Sequence, residues 1–251
     1  MKKNQFGERL LGLIVAAIVL HLVWFLASIL LNQSMLPTPQ VVYANFPKLM
    51  EKEIEVHFLV SLGRVLAGMS IALILGFALG LLMGSFKTLN KLFDPLLYLT
   101  YPIPKMAMLP IVMLLFGLGD ASKIIMIVLI VFPQVVLAVR DAVRNIPGHY
   151  YDIYRSIRAT KIQQFVHITL PASMYAILST SRISLGTAIS ILFFTENYGT
   201  EYGMGYYIMD AWMRLDYPSM YGAILLLSLM GFVLFLVIDF IGWLAMKWER
   251  V

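Results

Sequence analysis

Residues 10–31 form an apolar run with no charged side chain, about one bilayer thickness long. In hydrocarbon each backbone amide must be satisfied inside its own segment or a closed barrel, so a run of this length reads as one membrane-crossing helix. Five further apolar stretches follow, at 62–83, 94–118, 124–139, 172–194 and 221–240. Together they predict an all-α polytopic membrane bundle of about six transmembrane helices. The first run is too long for the apolar core of a signal peptide. No small-residue cleavage site follows it, so it is expected to be retained as a span. Hydrophobic residues make up 60% of the chain and charged ones 13%, about half the charged share of a soluble domain.

The loops between the runs set the expected orientation. Lys2, Lys3, Arg9, Lys87, Lys91, Arg140, Arg144, Arg155, Arg158, Lys161, Lys247 and Arg250 all fall on one side if both termini are cytoplasmic, and only Lys48, Lys52, Lys123 and Arg214 fall in the outer loops. That is the positive-inside bias. It also accounts for the net charge of +5, with no need of a nucleic-acid partner. Residues 1–9 then form a short basic cytoplasmic head, and 10–251 one transmembrane domain with a cytoplasmic loop at 145–171. Residues 32–57 are too mixed to span and are expected in water on the outer face. Residues 117–123 read as a tight outer turn, and 195–216 as an outer loop carrying Glu196. Trp243, Lys247, Trp248 and Arg250 read as an interfacial tail.

Within the spans three features stand out. Gly76, Gly80 and Gly84 recur every four residues, with Ala72 one step before, which lets a neighbouring helix approach along one face. That face is either a seam beside a translocation path or plain helix packing. Pro102, Pro104 and Pro110 break the third run, since each lacks a backbone donor and disfavours helix before it. Broken backbone at membrane depth belongs against protein or a wet cavity. Lys105 sits in the break, where it either lines a path or snorkels to the interface. Lys105 and Arg182 are the two ionisable residues read as plausible mid-membrane groups. Glu196 and Asp239 are expected as single carboxylates at opposite ends of the bundle.

The longest polar interruption is NIPGHYYDIYRSIRATKIQQFVHITLPA, at 145–172. Tyr150, Ile153, Tyr154 and Ile157 share one helical stripe, and Ile162, Phe165 and Val166 another. The two stripes are not continuous. Two short helices meeting near residues 158–160 are therefore expected, either as a surface to be gripped by a soluble protein or as a solvated loop.

This stretch resembles the "EAA" loop of permease subunits in bacterial ABC importers: Glu-Ala-Ala, three residues, Gly, nine residues, Ile, one residue, Leu-Pro. Anchored on Leu170-Pro171, Ile168 takes the Ile position and Asp152 the Glu position. Ile153 and Tyr154 replace the alanines, and Arg158 replaces the glycine. The run YPIPKMAMLPIVMLLFGLGDASK at 101–123 is similar to the "P-I-P-x-x-A-x-x-P-L…F-G-x-G" run of the subfamily serving nitrate, taurine, aliphatic sulfonates, bicarbonate and thiamine or riboflavin precursors. SLGRVLAGMSIALILGFALGLLMG at 61–84 resembles its second span, and Glu196 followed by Gly203-Met204-Gly205 resembles its "E…G-L-G" outer loop.

The resemblance implies a type I ABC importer permease fold with cytoplasmic coupling helices, in the bacterial inner membrane. It implies a homodimer, cytoplasmic ABC ATPase subunits and an extracytoplasmic substrate-binding protein as partners. ATPase coupling passes to Asp152, Arg155, Ser156, Arg158, Ala159, Leu170 and Pro171. Pro104, Lys105, Pro110 and Glu196 are expected to face the translocation path.

Catalytic chemistry finds no footing in the sequence. There is no G-x-x-x-x-G-K-[ST] phosphate loop and no cysteine, and no two of the four histidines have the spacing of paired ligands. The chain is expected to be a non-enzymatic subunit needing no cofactor or metal. A stand-alone secondary transporter or channel is the alternative. Against it stand the absence of a mid-membrane carboxylate and of internal duplication.

Overall fold

The chain's architecture was obtained as a computed structural model, which describes the backbone of residues 3–246 and the side chains of residues 11–246. Lys2, Lys247, Trp248 and Arg250, and the side chains of Lys3 and Arg9, lie outside the described residues. Among the described residues every regular element is helical. Five helices are long and apolar enough to cross a membrane: α1 (Lys3–Leu31), α4 (Ile54–Ser85), α7 (Asp120–Arg144), α10 (Leu170–Thr195, continuous with residues from Lys161) and α12 (Tyr217–Ala245). A bent pair, α5 (Lys87–Thr100) and α6 (Leu109–Phe116), meets at 83° around a 3₁₀ turn at Lys105–Met108, and counted as one broken span it brings the number to six. Five spans, or six with the bent pair, agree with the expectation of about six, and the third run is broken as expected.

The spine of the bundle is the parallel pair α4 and α7. Their axes approach closely because every fourth residue of α4 on this face is small. A β-carbon added to Gly68, Gly76, Gly80 or Gly84 would stand 2.6–2.8 Å from Ile127, Val135, Val136 or Val139, and Val143. Ala72 completes the stripe with no exposed surface. The facing Ile127, Val131, Val135 and Val139 are fully buried, so the glycines admit branched side chains that fill the seam. This is helix packing, one of the two readings left open for Gly76, Gly80 and Gly84. Gly68 extends it one turn further than those three residues predict. A polar tie, Ser184 Oγ donating to Gln134 Oε1 at 3.1 Å, joins α10 to α7.

Several loops expected to be irregular are ordered. Residues 32–57 contain α2 (Pro39–Ala44) and α3 (Phe46–Glu51), and α4 begins at Ile54 rather than beyond residue 57. Val42 and Leu49 are buried, and Leu49 fills the space over Gly222 of α12. Scattered apolar residues sufficed here because short helices need one anchor each. Residues 195–216 contain α11 (Met204–Met213). Residues 117–123 are not all turn: Lys123 lies in the first turns of α7 and is fully buried, which overturns its place in a solvated loop. Its Nζ is satisfied by the Leu118 carbonyl.

Candidate functional site

The coupling-loop residues build a tight helix–turn–helix. Helix α8 (Gly148–Ser156) ends at Ile157, and Arg158 turns left-handed with φ +56°. The Ala159 N–H then reaches the Tyr154 carbonyl at 2.9 Å and the Arg158 N–H the Arg155 carbonyl at 2.9 Å. That pair of bonds is a Schellman ending, which favours glycine at its left-handed residue. Thr160 starts the next helix, α9 (Lys161–Gln164), with a reciprocal capping box. The Gln163 N–H donates to Thr160 Oγ1 at 3.3 Å, and the Thr160 N–H donates to Gln163 Oε1 at 2.7 Å. Only Arg158 and Ala159 separate the two caps, so the bend is fixed.

The second helix does not stop before the next span. A π-turn over Phe165–Thr169 carries it into α10, with the Leu170 N–H bonded five residues back to Phe165. The single extra residue accommodates Pro171, whose ring cannot follow a regular α-turn without a clash. The expectation of two separate short helices is thus half met. α8 stands alone, and α9 is the exposed end of a continuous span, Lys161–Thr195. Asp152 and Arg155 pair at 3.1 Å on an open surface, and Ser156 Oγ donates to the Ile153 carbonyl. Tyr150, Ile153, Ile157 and Ile162 are exposed beside them. Exposed apolar side chains thus stand beside an exposed ion pair on this element.

At the opposite end of α10, four elements converge on a buried ionic knot. Arg64 of α4 is 4% exposed and Glu196, just past α10, not at all. Arg64 Nη1 donates to Glu196 Oε1 at 2.7 Å and to the Tyr202 carbonyl at 2.8 Å. Its Nε and Nη2 both donate to Asp120 Oδ1, at 2.8 and 2.6 Å, and Nη2 reaches Thr200 Oγ1 at 3.2 Å. All five guanidinium hydrogens are thereby used. Ser61 Oγ donates to the Glu196 carboxylate and accepts the Met204 N–H at 2.7 Å, and the Gly205 N–H donates to Glu196 Oε2 at 2.9 Å.

Glu196 is therefore the internal anion at the start of α11, where free amides and the helix dipole favour negative charge. Gly203 (φ +132°) lies directly against the carboxylate, so no side chain fits there. Burial pushes the Glu196 carboxyl above its ordinary value, while the Gly205 N–H, Arg64 and Ser61 pull the other way. His57 Nδ1 meets the Gly203 backbone at 3.1 Å and the ring packs among Tyr202, Tyr206 and Tyr207. The expected single carboxylates are both paired, since Asp239 lies 2.5 Å from Arg182. With its oxygens taken up and no exposed surface, Glu196 has nothing to offer a solute in this conformation. Arg64 escaped the sequence reading because it sits within an apolar run, where a lone charge is the signal that mattered.

Beside the knot a cleft of about 740 Å³ opens along the broken span. Pro110 and Met113 line it on one wall, Phe194 and Tyr198 on the other, and none of its lining side chains is charged. Lys105 does not line it. Its Nζ donates to the Thr100 and Tyr101 carbonyls at 3.3 and 3.0 Å and lies 5.2 Å from the Tyr101 ring centre. It thus satisfies the carbonyls freed where α5 stops before Pro102 and Pro104.

Polytopic helices, a capped helical turn at one end, and a broken helix pair flanking a cleft are the features of a membrane transport protein. The family model for the binding-protein-dependent transport system inner membrane component matches residues 68–244, and the chain belongs to that family. It is 27% identical over 225 residues to the taurine transport system permease protein TauC of Escherichia coli, covering 87% of this chain and 82% of that one. It is 26% identical over 234 residues to the formylaminopyrimidine transport permease protein ThiX of Halalkalibacterium halodurans (93% and 94%). It is 30% identical over 189 residues to the bicarbonate transport system permease protein CmpB of Synechococcus elongatus (75% and 66%). Among solved structures the fold matches a chain of the inward-facing MetNI methionine ABC transporter, with TM-score 0.58 and 20% identity, over 75% of this chain and 96% of that one. The permease reading thus prevails over the stand-alone secondary transporter or channel.

Proposed function

We propose that the chain is the non-catalytic permease subunit of an ATP-driven importer, with residues 10–251 as its transmembrane domain and both termini in the cytoplasm. The capped turn at Arg158 supports this reading most directly. It is rigid, exposed and covalently continuous with a span, as a transmitter of partner motion must be. A cytoplasmic ATPase grips α8 and α9 through Asp152, Arg155, Ser156, Arg158 and Ala159. The π-turn over Phe165–Thr169 passes that displacement through Leu170-Pro171 into α10. Because Lys161–Thr195 is one helical unit, tilting its gripped end moves its far end beside Glu196. ATP binding drives the change only through the ATPase's different affinity for the two permease states.

The solute, released by an extracytoplasmic binding protein, moves along the cleft lined by Pro110, with Pro104 and Lys105 holding the break at its edge and a second copy of the chain completing the path within the lipid bilayer. It belongs to the group of small solutes named for the relatives: taurine, bicarbonate or a formylaminopyrimidine. The test is a mild-detergent pull-down of the tagged chain from its native membrane. A stoichiometric ATPase is expected with the parent and is expected to be lost when Arg155 and Arg158 are both changed to Glu. Normal co-purification with that double variant would sink the docking assignment.

A further inference from the structure

The cleft has two walls from distant parts of the chain, and both end at the same guanidinium. One wall runs along α6 to Leu118, two residues before Asp120. The other carries Phe194 and Tyr198, with Glu196 midway between them. Arg64 donates to Asp120 with one side of its fork and to Glu196 with the other. Lys123 extends the constraint to Leu118 through its carbonyl. Leu118 in turn packs on Gly199, where an added β-carbon would stand 2.7 Å from Leu118 Cδ2.

We infer that Arg64 is a positioning residue that staples the two walls of this cleft together and so sets its width. The role for transport rests on the reading that the cleft lies on the solute path. Arginine suits the task because its planar fork serves two carboxylates in different directions, whereas a lysine is a point charge that can hold one. Glu196 is already held by Ser61 and the Gly205 N–H, so its half of the staple belongs to the core. The Asp120 side chain is 66% exposed, so its half can be removed without stranding a buried charge.

The absence of native cysteines permits a clean test. Spin labels on cysteines introduced at Leu114 and Glu201, one on each side, report the separation of the walls in the full-length permease in lipid nanodiscs. A single narrow distance distribution is expected for the parent, and a broadened or longer one for both Asp120→Ala and Arg64→Lys. An unchanged distribution in Asp120→Ala, with the protein folded, would overturn the staple. A separate Met113→Cys variant reports whether the cleft is wet, through its reaction with a charged, membrane-impermeant thiol reagent. Labelling is expected, and a several-fold faster rate with Asp120→Ala added. If Met113→Cys never reacts while the distances still broaden, the cleft is not on the solute path and the staple stands as a structural device alone.

Discussion

The Ala159 amide closes on the Tyr154 carbonyl at 2.9 Å across Arg158, which holds a left-handed backbone with φ +56°. A side chain in that conformation costs about 1–2 kcal/mol, and glycine escapes the cost. Arg158→Gly is therefore expected to raise stability by roughly 0.5–1 kcal/mol, part of the gain being offset by the freer unfolded chain. Arg158→Val is expected to lower it, since a β-branched residue tolerates the left-handed region least. Thermal unfolding in detergent measures both. A more stable valine variant would mean that the turn is not closed this way.

The glycine seam predicts opposite signs for one substitution at two places on α4. A β-carbon at Gly80 would meet the Val136 carbonyl and Val139 Cβ at 2.8 Å, and backbone cannot move aside cheaply. Gly80→Ala is expected to cost about 1–3 kcal/mol by overpacking. Gly63 has open space within 4 Å of the same position, so Gly63→Ala is expected to gain up to about 1 kcal/mol from helix propensity alone. Equal shifts in the two melting curves would refute the seam.

Removing one partner of the buried pair strands the other. Arg64→Met is expected to destabilise by about 3–5 kcal/mol, because Glu196 then keeps its charge in a buried site. Glu196→Gln costs less, since an amide oxygen still accepts from Ser61 and Arg64. The double variant Arg64→Met/Glu196→Met should recover much of the loss in a double-mutant cycle. Strict additivity of the two single effects would show that the groups do not interact.

Asp216 supplies a pH signature outside the spans. Burial pushes its carboxyl up, but the Ser219 hydroxyl and the Lys52 ammonium, at 3.1 Å, outweigh that and leave it below its ordinary value. A lowered carboxyl contributes stability that is full above its unfolded value of about 3.9 and is lost as pH falls through the folded one. Lys52→Met raises the folded value, so acid unfolding is expected to begin at higher pH than in the parent. An unshifted acid midpoint, followed by circular dichroism, would show that the ion pair does not form.

Much of this fold was legible before any coordinates, because hydrocarbon imposes one rule on every span. Run length and composition determined six crossings, and Pro102, Pro104 and Pro110 marked the break, since each removes a backbone donor whatever surrounds it. The spacing of Gly76, Gly80 and Gly84 announced a close approach, and the two apolar stripes on either side of residue 158 announced a bend. These are local properties, fixed by residues within a few turns of one another. The sequence could not say what lay opposite. Lys105 read either as a path residue or as one snorkelling to the interface, and its ammonium sits on the carbonyls that the same prolines freed. Glu196 read as a lone outer carboxylate, Arg64 as part of an apolar run and Lys123 as a loop cation. Arg64 and Glu196 lie 132 positions apart, whereas Lys105 and Lys123 are met by carbonyls only four or five residues back. The buried carboxylate of Glu196 is tolerated because a distant helix delivers its counter-charge. That pairing is decided when the helices pack, and no stretch of sequence contains it.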